Sequence, residues 1–258
     1  MDKRIGAQLF TVVDHTQTIQ DFDATCKKIK DIGYKIVQIS GTPLAAREMR
    51  EILDKYSLQA VTSHRGYDDF VNNIDEIIEY NKILGCDLCG LGAMPQKFWD
   101  EGCNPNEFIK NINKACETLK KENMYFGYHN HAFEFKKING VTIYDRLINE
   151  TDSDVFNFIV DTYWLQIGGK NPPDVIRELG KRAMALHFKD FVPTSGWSAS
   201  MKMGEIGNGN LDWDKIIAAC EDTGTRWALV EQDTDHFEND PFKSLEISYN
   251  FLKSKGFE

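Results

Sequence analysis

Apolar residues follow two alternating rhythms along this chain. Short runs rich in β-branched and aromatic residues give way to longer stretches whose apolar positions lie three and four apart. Eight short runs read as strands: Arg4–Phe10, Lys35–Ser40, Gln59–His64, Asp87–Ala93, Tyr125–His131, Phe156–Asp161, Ala183–Lys189 and Trp227–Gln232. Between them, Thr18–Ile32 places Ile19, Phe22, Cys26 and Ile29 on one helical face, and Asn106–Lys120 does the same with Phe108, Ile109, Ile112, Ala115 and Leu119. Phe242–Leu252 reads as a helix that covers the last strand. Strand–helix alternation predicts parallel strands joined by crossover helices. Eight such units in 258 residues predict one closed (β/α)8 TIM barrel spanning residues 1–258. A doubly wound open sheet is the competing architecture, but no GxGxxG follows the first strand. The longest segment with neither rhythm is Phe191–Asn210, which holds Pro193, Gly196, Gly204, Gly207 and Gly209. A loop of that length in a compact domain is expected to be functional, in the manner of a lid.

Composition narrows the partners. Hydrophobic residues make up 41% and charged residues 27%, enough for a sizeable core. The formal net charge of −10 disfavours nucleic acid, which is held through counterion release by Lys and Arg. No stretch is apolar enough for a membrane span, and MDKRIGAQLF lacks the apolar core of a signal peptide. The six cysteines (Cys26, Cys86, Cys89, Cys103, Cys116 and Cys220) are scattered, and the Cys86–Cys89 CxxC has no second pair at zinc-finger spacing. Buried reduced thiols and a cytoplasmic location are the expectation.

Candidate chemistry gathers where the strands end. Barrel enzymes carry their reactive groups at the carboxyl ends of the strands. Strand five runs into His129-Asn130-His131 with Glu134 just beyond; strand six closes on Asp161, strand seven on His187 and Lys189, and strand eight on Glu231. A carboxylate or imidazole that ends a buried apolar run needs a partner. A mixed His and carboxylate set suits one divalent ion (Mn²⁺, Co²⁺, Zn²⁺ or Mg²⁺). Asp161, His187 and Glu231 are the expected ligands. The fourth is open between Glu134, which is favoured, and His129. His131 and His129 are candidate bases, and Lys189 a candidate for an enolate, carboxylate or phosphate oxygen; the plain alternative for Lys189 is a surface lysine paired with Asp190. Weaker substrate-contact candidates are Gln8, His64 with Arg65 behind it, Trp164, which either stacks on a sugar ring or packs in the mouth, and Glu205 in the Gly-rich segment.

Taken in order, Gly6-Ala7-Gln8-Leu9-Phe10, His187-Phe188-Lys189-Asp190, Gly204-Glu205-Ile206-Gly207-Asn208-Gly209 and Leu229-Val230-Glu231-Gln232-Asp233 resemble the sugar phosphate isomerase/epimerase superfamily, the xylose isomerase-like barrels. The resemblance implies one ion held by Glu, Asp, His and Glu from strands five to eight, with Asp161, His187 and Glu231 on the last three positions. Two departures stand out. His129-Asn130-His131 replaces the Glu-Asn-His common at strand five, and Trp164 stands where epimerase-type members place a His. The first resembles a branch with inosose dehydratase-like proteins and 3-oxo-glycoside enzymes. The leading expectation is metal-dependent isomerisation or epimerisation of a sugar or keto-sugar through an enediolate. The competing expectation is β-elimination by a lyase of the same fold. A three-zinc DNA-repair nuclease and a sugar-binding barrel without activity are more distant alternatives. The partner is a small sugar or polyol, and a homo-oligomer is left open.

Overall fold

The computed structural model describes residues 1–100, 104–195 and 201–258; Cys103 and Gly196 lie outside the described residues. Eight parallel strands close a barrel: β1 (Ile5–Gln8), β2 (Ile36–Ile39), β3 (Gln59–Arg65), β4 (Leu88–Leu91), β5 (Tyr125–His129), β6 (Phe156–Asp161), β7 (Ala183–Phe188) and β8 (Trp227–Val230). Each pairs with its chain neighbours, and β1 pairs with β8 to close the ring. All eight expected strands are present, most of them trimmed by one or two residues at the ends. The three expected helices are also present: α1 (Ile19–Ile32), α2 (Asn106–Lys121) and, after the short α3 (Thr162–Ile167), α4 (Pro241–Ser254). Thr18 caps α1, its hydroxyl accepting from Asp21 N, and Gly33 follows the helix at φ 125°, a conformation that a side chain would resist. Among the described residues no helix is long and apolar enough to cross a membrane.

The outward strand faces and the inward helix faces form the main core. The barrel interior is thinner. Ile36, Val61 and Leu229 form one cluster and Leu88, Ile159, Met184 and Ala185 another. Gly90 and Gly127 leave room there: a Cβ on Gly90 would meet Ser63 O at 2.5 Å, and one on Gly127 would meet Ile159 Cδ1 at 2.9 Å.

Two irregularities decide which side chains reach the interior. In β3 the register with β2 slips at Val61, since Val37 pairs with Ala60 and Gln38 with Thr62. In β7 the register with β6 slips at Met184, since Phe158 pairs with Ala183 and Ile159 with Ala185. Each is a bulge that adds one residue and resets the in–out alternation. Beyond these points Ser63 faces outward to Asn81, and His64, His187 and Lys189 face inward.

Part of the segment expected to be an irregular lid forms strands. Asp190–Pro193 pairs antiparallel with Met201–Gly204. The described cysteines are buried and unbridged. Burial pushes the thiols of Cys26, Cys86, Cys116 and Cys220 up to about 12, consistent with inert thiols.

Candidate metal centre

Inward alternation along β5, β6, β7 and β8 brings one polar group from each to the same point. His129 ends β5, Asp161 ends β6, His187 lies next to the end of β7, and Glu231 directly follows β8. One ligand-capable atom from each of these four buried residues lies within 4.8 Å of all the others.

The partners on the far side of each group show which atom is free. His129 Nδ1 lies 2.9 Å from Gly92 O, so Nδ1 carries the hydrogen and Nε2 presents its lone pair, 3.3 Å from Asp161 Oδ2. His187 Nε2 lies 2.8 Å from Gln38 Oε1, which leaves Nδ1 as the lone-pair atom, 2.8 Å from Glu231 Oε2. Asp161 Oδ1 accepts from Trp164 N at 2.9 Å and caps the helix α3 (Thr162–Ile167), while Oδ2 faces the cluster. The helix-capping role and the ligand role of Asp161 are therefore compatible. Asn130 holds the Asp161 backbone, its Oδ1 accepting from Asp161 N at 3.0 Å.

Neither His187 Nδ1 nor Glu231 Oε2 makes a hydrogen bond, although both are buried and Lys189 Nζ lies 2.9 Å from the oxygen. Two acceptors facing each other in a dry site need a proton or a cation, and Lys189 reaches the oxygen but not the imidazole nitrogen. The donor set therefore fits a divalent ion: two imidazoles and two carboxylates, each imidazole oriented by a hydrogen bond from its other nitrogen.

Glu134, the favoured fourth ligand, takes a different place. It lies in a 3-10 turn (Phe133–Phe135) with Oε1 accepting from Tyr128 OH at 2.8 Å and Oε2 from His131 N at 2.9 Å. Both its oxygens are engaged away from the cluster, and His129 stands in the fourth position. His129 Nδ1 is engaged by Gly92 O, and its Nε2 points at the cluster. Burial raises the Glu134 carboxyl to about 7.

Lys189 is not a surface lysine. It is 1% exposed, and its Nζ lies 3.2 Å from Asp161 Oδ2 and 2.9 Å from both Glu231 Oε2 and Asp233 Oδ2. Burial opposes its charge, but the Asp161, Glu231 and Asp233 carboxylates outweigh this and hold it protonated. Asp190, its expected partner, instead collects the backbone N–H groups of Phe191, Gly207, Gly209 and Leu211 and the Trp213 indole N–H. Asp190 thereby ties the Gly-rich segment to the end of β7. Glu205 does not reach the mouth. Its Oε1 accepts from Ser244 Oγ at 2.7 Å and Phe237 N at 3.2 Å, so it fixes α4 to the segment before it.

Above the cluster a cleft of about 410 Å³ is walled by His64, Arg65, Gly92, His131, Trp164, Lys189, Glu231 and Asp233, among others. His64 and Trp164 thus stand where the sequence expected them. Gln8 is fully buried beneath this cleft, its Oε1 accepting from Phe10 N. His131 lines the cleft with its Nδ1 buried and unpartnered, its ring stacked on Phe133 and 5.5 Å from Trp164. Burial and the neighbouring His129 depress it to about 3, so its ring is neutral at pH 7. Gln38 and Asp233 were missed from sequence. Gln38 carried a usable signal, a polar residue within the apolar Ile36–Ile39 run, identical in kind to those at the later strands. A cleft of about 420 Å³ at the opposite end of the barrel is lined by Gln59, Asp87, Arg226 and Trp227 among others. Arg226 and Asp87 pair there, and that end gathers no imidazole.

A closed parallel barrel whose carboxyl-end mouth gathers acids, imidazoles and an ammonium defines an enzyme-type (β/α)8 barrel. The chain belongs to the xylose isomerase-like TIM barrel family, whose profile matches residues 26–255. An inosose dehydratase of Clostridium botulinum (strain Eklund 17B / Type B) is 21% identical over 163 residues, 58% of this chain; the chain spans only about half, 54%, of that relative. A sugar phosphate isomerase/epimerase of Parabacteroides distasonis superposes with a TM-score of 0.82 at 21% identity, covering 98% of this chain and 94% of the other. The probable 3-DHS dehydratase of Bacillus anthracis superposes with a TM-score of 0.74 at 14% identity, covering 97% and 98%.

Proposed function

We propose that this chain is a divalent-metal-dependent enzyme that isomerises or epimerises a sugar or keto-sugar by moving a proton next to a carbonyl. The supporting observation is the pair His187 Nδ1 and Glu231 Oε2, 2.8 Å apart, buried and without hydrogen bonds. His129, Asp161, His187 and Glu231 would hold the ion, which when bound polarises a carbonyl and acidifies the neighbouring carbon. His131 stands at the cleft wall as the base for the substrate proton. Lys189 supplies positive charge where oxygen charge develops. Trp164, beside His131, offers a flat apolar face to the C–H side of a sugar ring.

A lyase reading is favoured by one specific feature. Trp164 occupies the wall near His131, and no second imidazole other than the inward ligands faces it across the cleft except His64, whose ring burial holds it neutral. A single base suits proton removal followed by loss of a leaving group. Two relatives named above are dehydratases. The nuclease alternative loses ground because His15 packs on Phe242 and His236 bonds Gln232 O, both apart from the cluster.

The test is metal analysis followed by incubation with keto-sugars and keto-inositols in deuterated water with Mn²⁺ or Co²⁺. Deuterium at the carbon next to the carbonyl with retained formula supports isomerisation or epimerisation. Release of water or an aglycone supports the lyase. No metal uptake, and no exchange with any ion, removes both.

A further inference from the structure

Lys189 sits unusually deep for a lysine, and its ammonium touches the same two oxygens, Asp161 Oδ2 and Glu231 Oε2, that face the free imidazole nitrogens. We propose that Lys189 competes with the divalent ion for these carboxylates, and that Asp233 draws its ammonium aside so that ion and lysine coexist; this rests on the metal site proposed above.

Three observations carry the proposal. The first is distance. An ion holding Glu231 Oε2 at an ordinary separation of about 2.2 Å lies within about 5 Å of Nζ, where like charges in a buried site repel strongly. The second is that the lysine backbone is fixed. Lys189 N donates to Thr162 Oγ1 at 3.0 Å, and Lys189 O accepts from the same hydroxyl at 2.8 Å. Only the side chain can give way, and the Trp164 ring lies 5.8 Å from Nζ. Of the three carboxylates within reach, Asp233 alone stands outside the ligand set, with Oδ2 at 2.9 Å from Nζ. The third is charge. With neutral imidazoles, the three carboxylates Asp161, Glu231 and Asp233 are balanced by one ammonium together with one dication, and by neither alone. Asp233 is thus a positioning residue for Lys189, and Lys189 sets how tightly the ion is held.

The two substitutions carry opposite signs. Lys189→Gln removes the competitor and is expected to tighten Mn²⁺ binding on the order of tenfold. Asp233→Asn leaves the ammonium on Asp161 and Glu231 and is expected to weaken binding by a similar factor. Direct attraction between Asp233 and the ion would also weaken binding, so the double variant decides. If Asp233 acts through Lys189, Asp233→Asn changes the Mn²⁺ affinity of the Lys189→Gln protein by less than about threefold. Calorimetric titration with Mn²⁺ of the full chain and the three variants, each checked for folding by circular dichroism, reads all of this without an activity assay. A Lys189→Gln protein that binds no tighter, or an undiminished Asp233→Asn effect in the double variant, overturns the proposal and leaves the metal site standing. Asp233→Asn keeps the lysine, so a folded Asp233→Asn protein with wild-type affinity also overturns it, even where Lys189→Gln yields no folded protein. A wild-type protein that takes up no Mn²⁺, Co²⁺ or Zn²⁺ overturns the metal site itself.

Discussion

The two arcs of the barrel mouth differ in kind. The arc from β5 to β8 supplies His129, Asp161, His187, Glu231 and Lys189, all ionisable and all directed at one point. The arc from β1 to β4 adds Arg65 to the cleft wall, but what it turns towards the cluster is Gln8, Gln38, His64 and a glycine carbonyl, which carry no charge at neutral pH. Yet the two imidazoles of the charged arc are not oriented from within it. Gln38 from β2 fixes the hydrogen on His187, and Gly92 O from beyond β4 fixes the hydrogen on His129. One arc offers lone pairs and the other decides which way they point. A ligand set is therefore only as well defined as the neutral groups behind it.

This contrast can be broken most forcefully from the charged side. Asp161→Asn or Glu231→Gln is expected to weaken Mn²⁺ binding on the order of 100-fold or more, read by calorimetry, with loss of any metal-dependent exchange. Wild-type affinity in either variant would disprove the ligand assignment. From the neutral side, Gln38→Leu touches no ligand, but it removes the acceptor on His187 Nε2. It is expected to cost about 10- to 100-fold in Mn²⁺ affinity; an unchanged affinity would show that the arcs act independently. Gly90→Ala tests the packing beneath the neutral arc. The added methyl would meet Ser63 O at 2.5 Å and His64 Cδ2 at 2.7 Å, so a loss of about 1–3 kcal/mol is expected in urea unfolding.

The smallest effect concerns Glu134, which looks like a ligand in sequence and is a structural prop in the fold. Burial raises its carboxyl to about 7 from an ordinary 4.5. The folded protein thus keeps a proton that the unfolded chain releases. That contribution to stability is complete below about pH 4.5 and is lost as the pH rises through 7. Glu134→Gln keeps the volume and removes the titration. Its stability relative to wild type should improve on the order of 2 kcal/mol between pH 5 and pH 8, measured by urea unfolding at both values. A flat difference would mean that the carboxyl is not held protonated.

Most of the scaffold was legible because parallel barrel strands are uniformly apolar and end on polar residues. Phe156–Asp161 was read to the residue, and Asp161, His187 and Glu231 each followed an uninterrupted apolar run. Strand five was harder. Its regular structure stops at His129 rather than His131, so the alternation that grouped the two histidines does not extend to the second. Glu134 then lies in a turn whose backbone direction no spacing rule gives. The hairpin of Asp190–Pro193 with Met201–Gly204 was hidden by glycine and proline, which read as loop. Its anchor is Asp190, whose carboxylate gathers donors up to 23 residues away, a long-range arrangement that leaves no periodic trace.

The bulges at Val61 and Met184 give the site an odd–even dependence. Counting strictly by twos from Ala183 would send Leu186 and Phe188 into the barrel and His187 and Lys189 out among the helices. Inserting one residue after Met184 that no further bulge absorbs therefore swaps the two faces of the strand end. Such a chain would keep every ligand in its sequence and lose the ligand set in space. For this barrel, parity of strand length is as much a determinant of chemistry as the identity of the side chains.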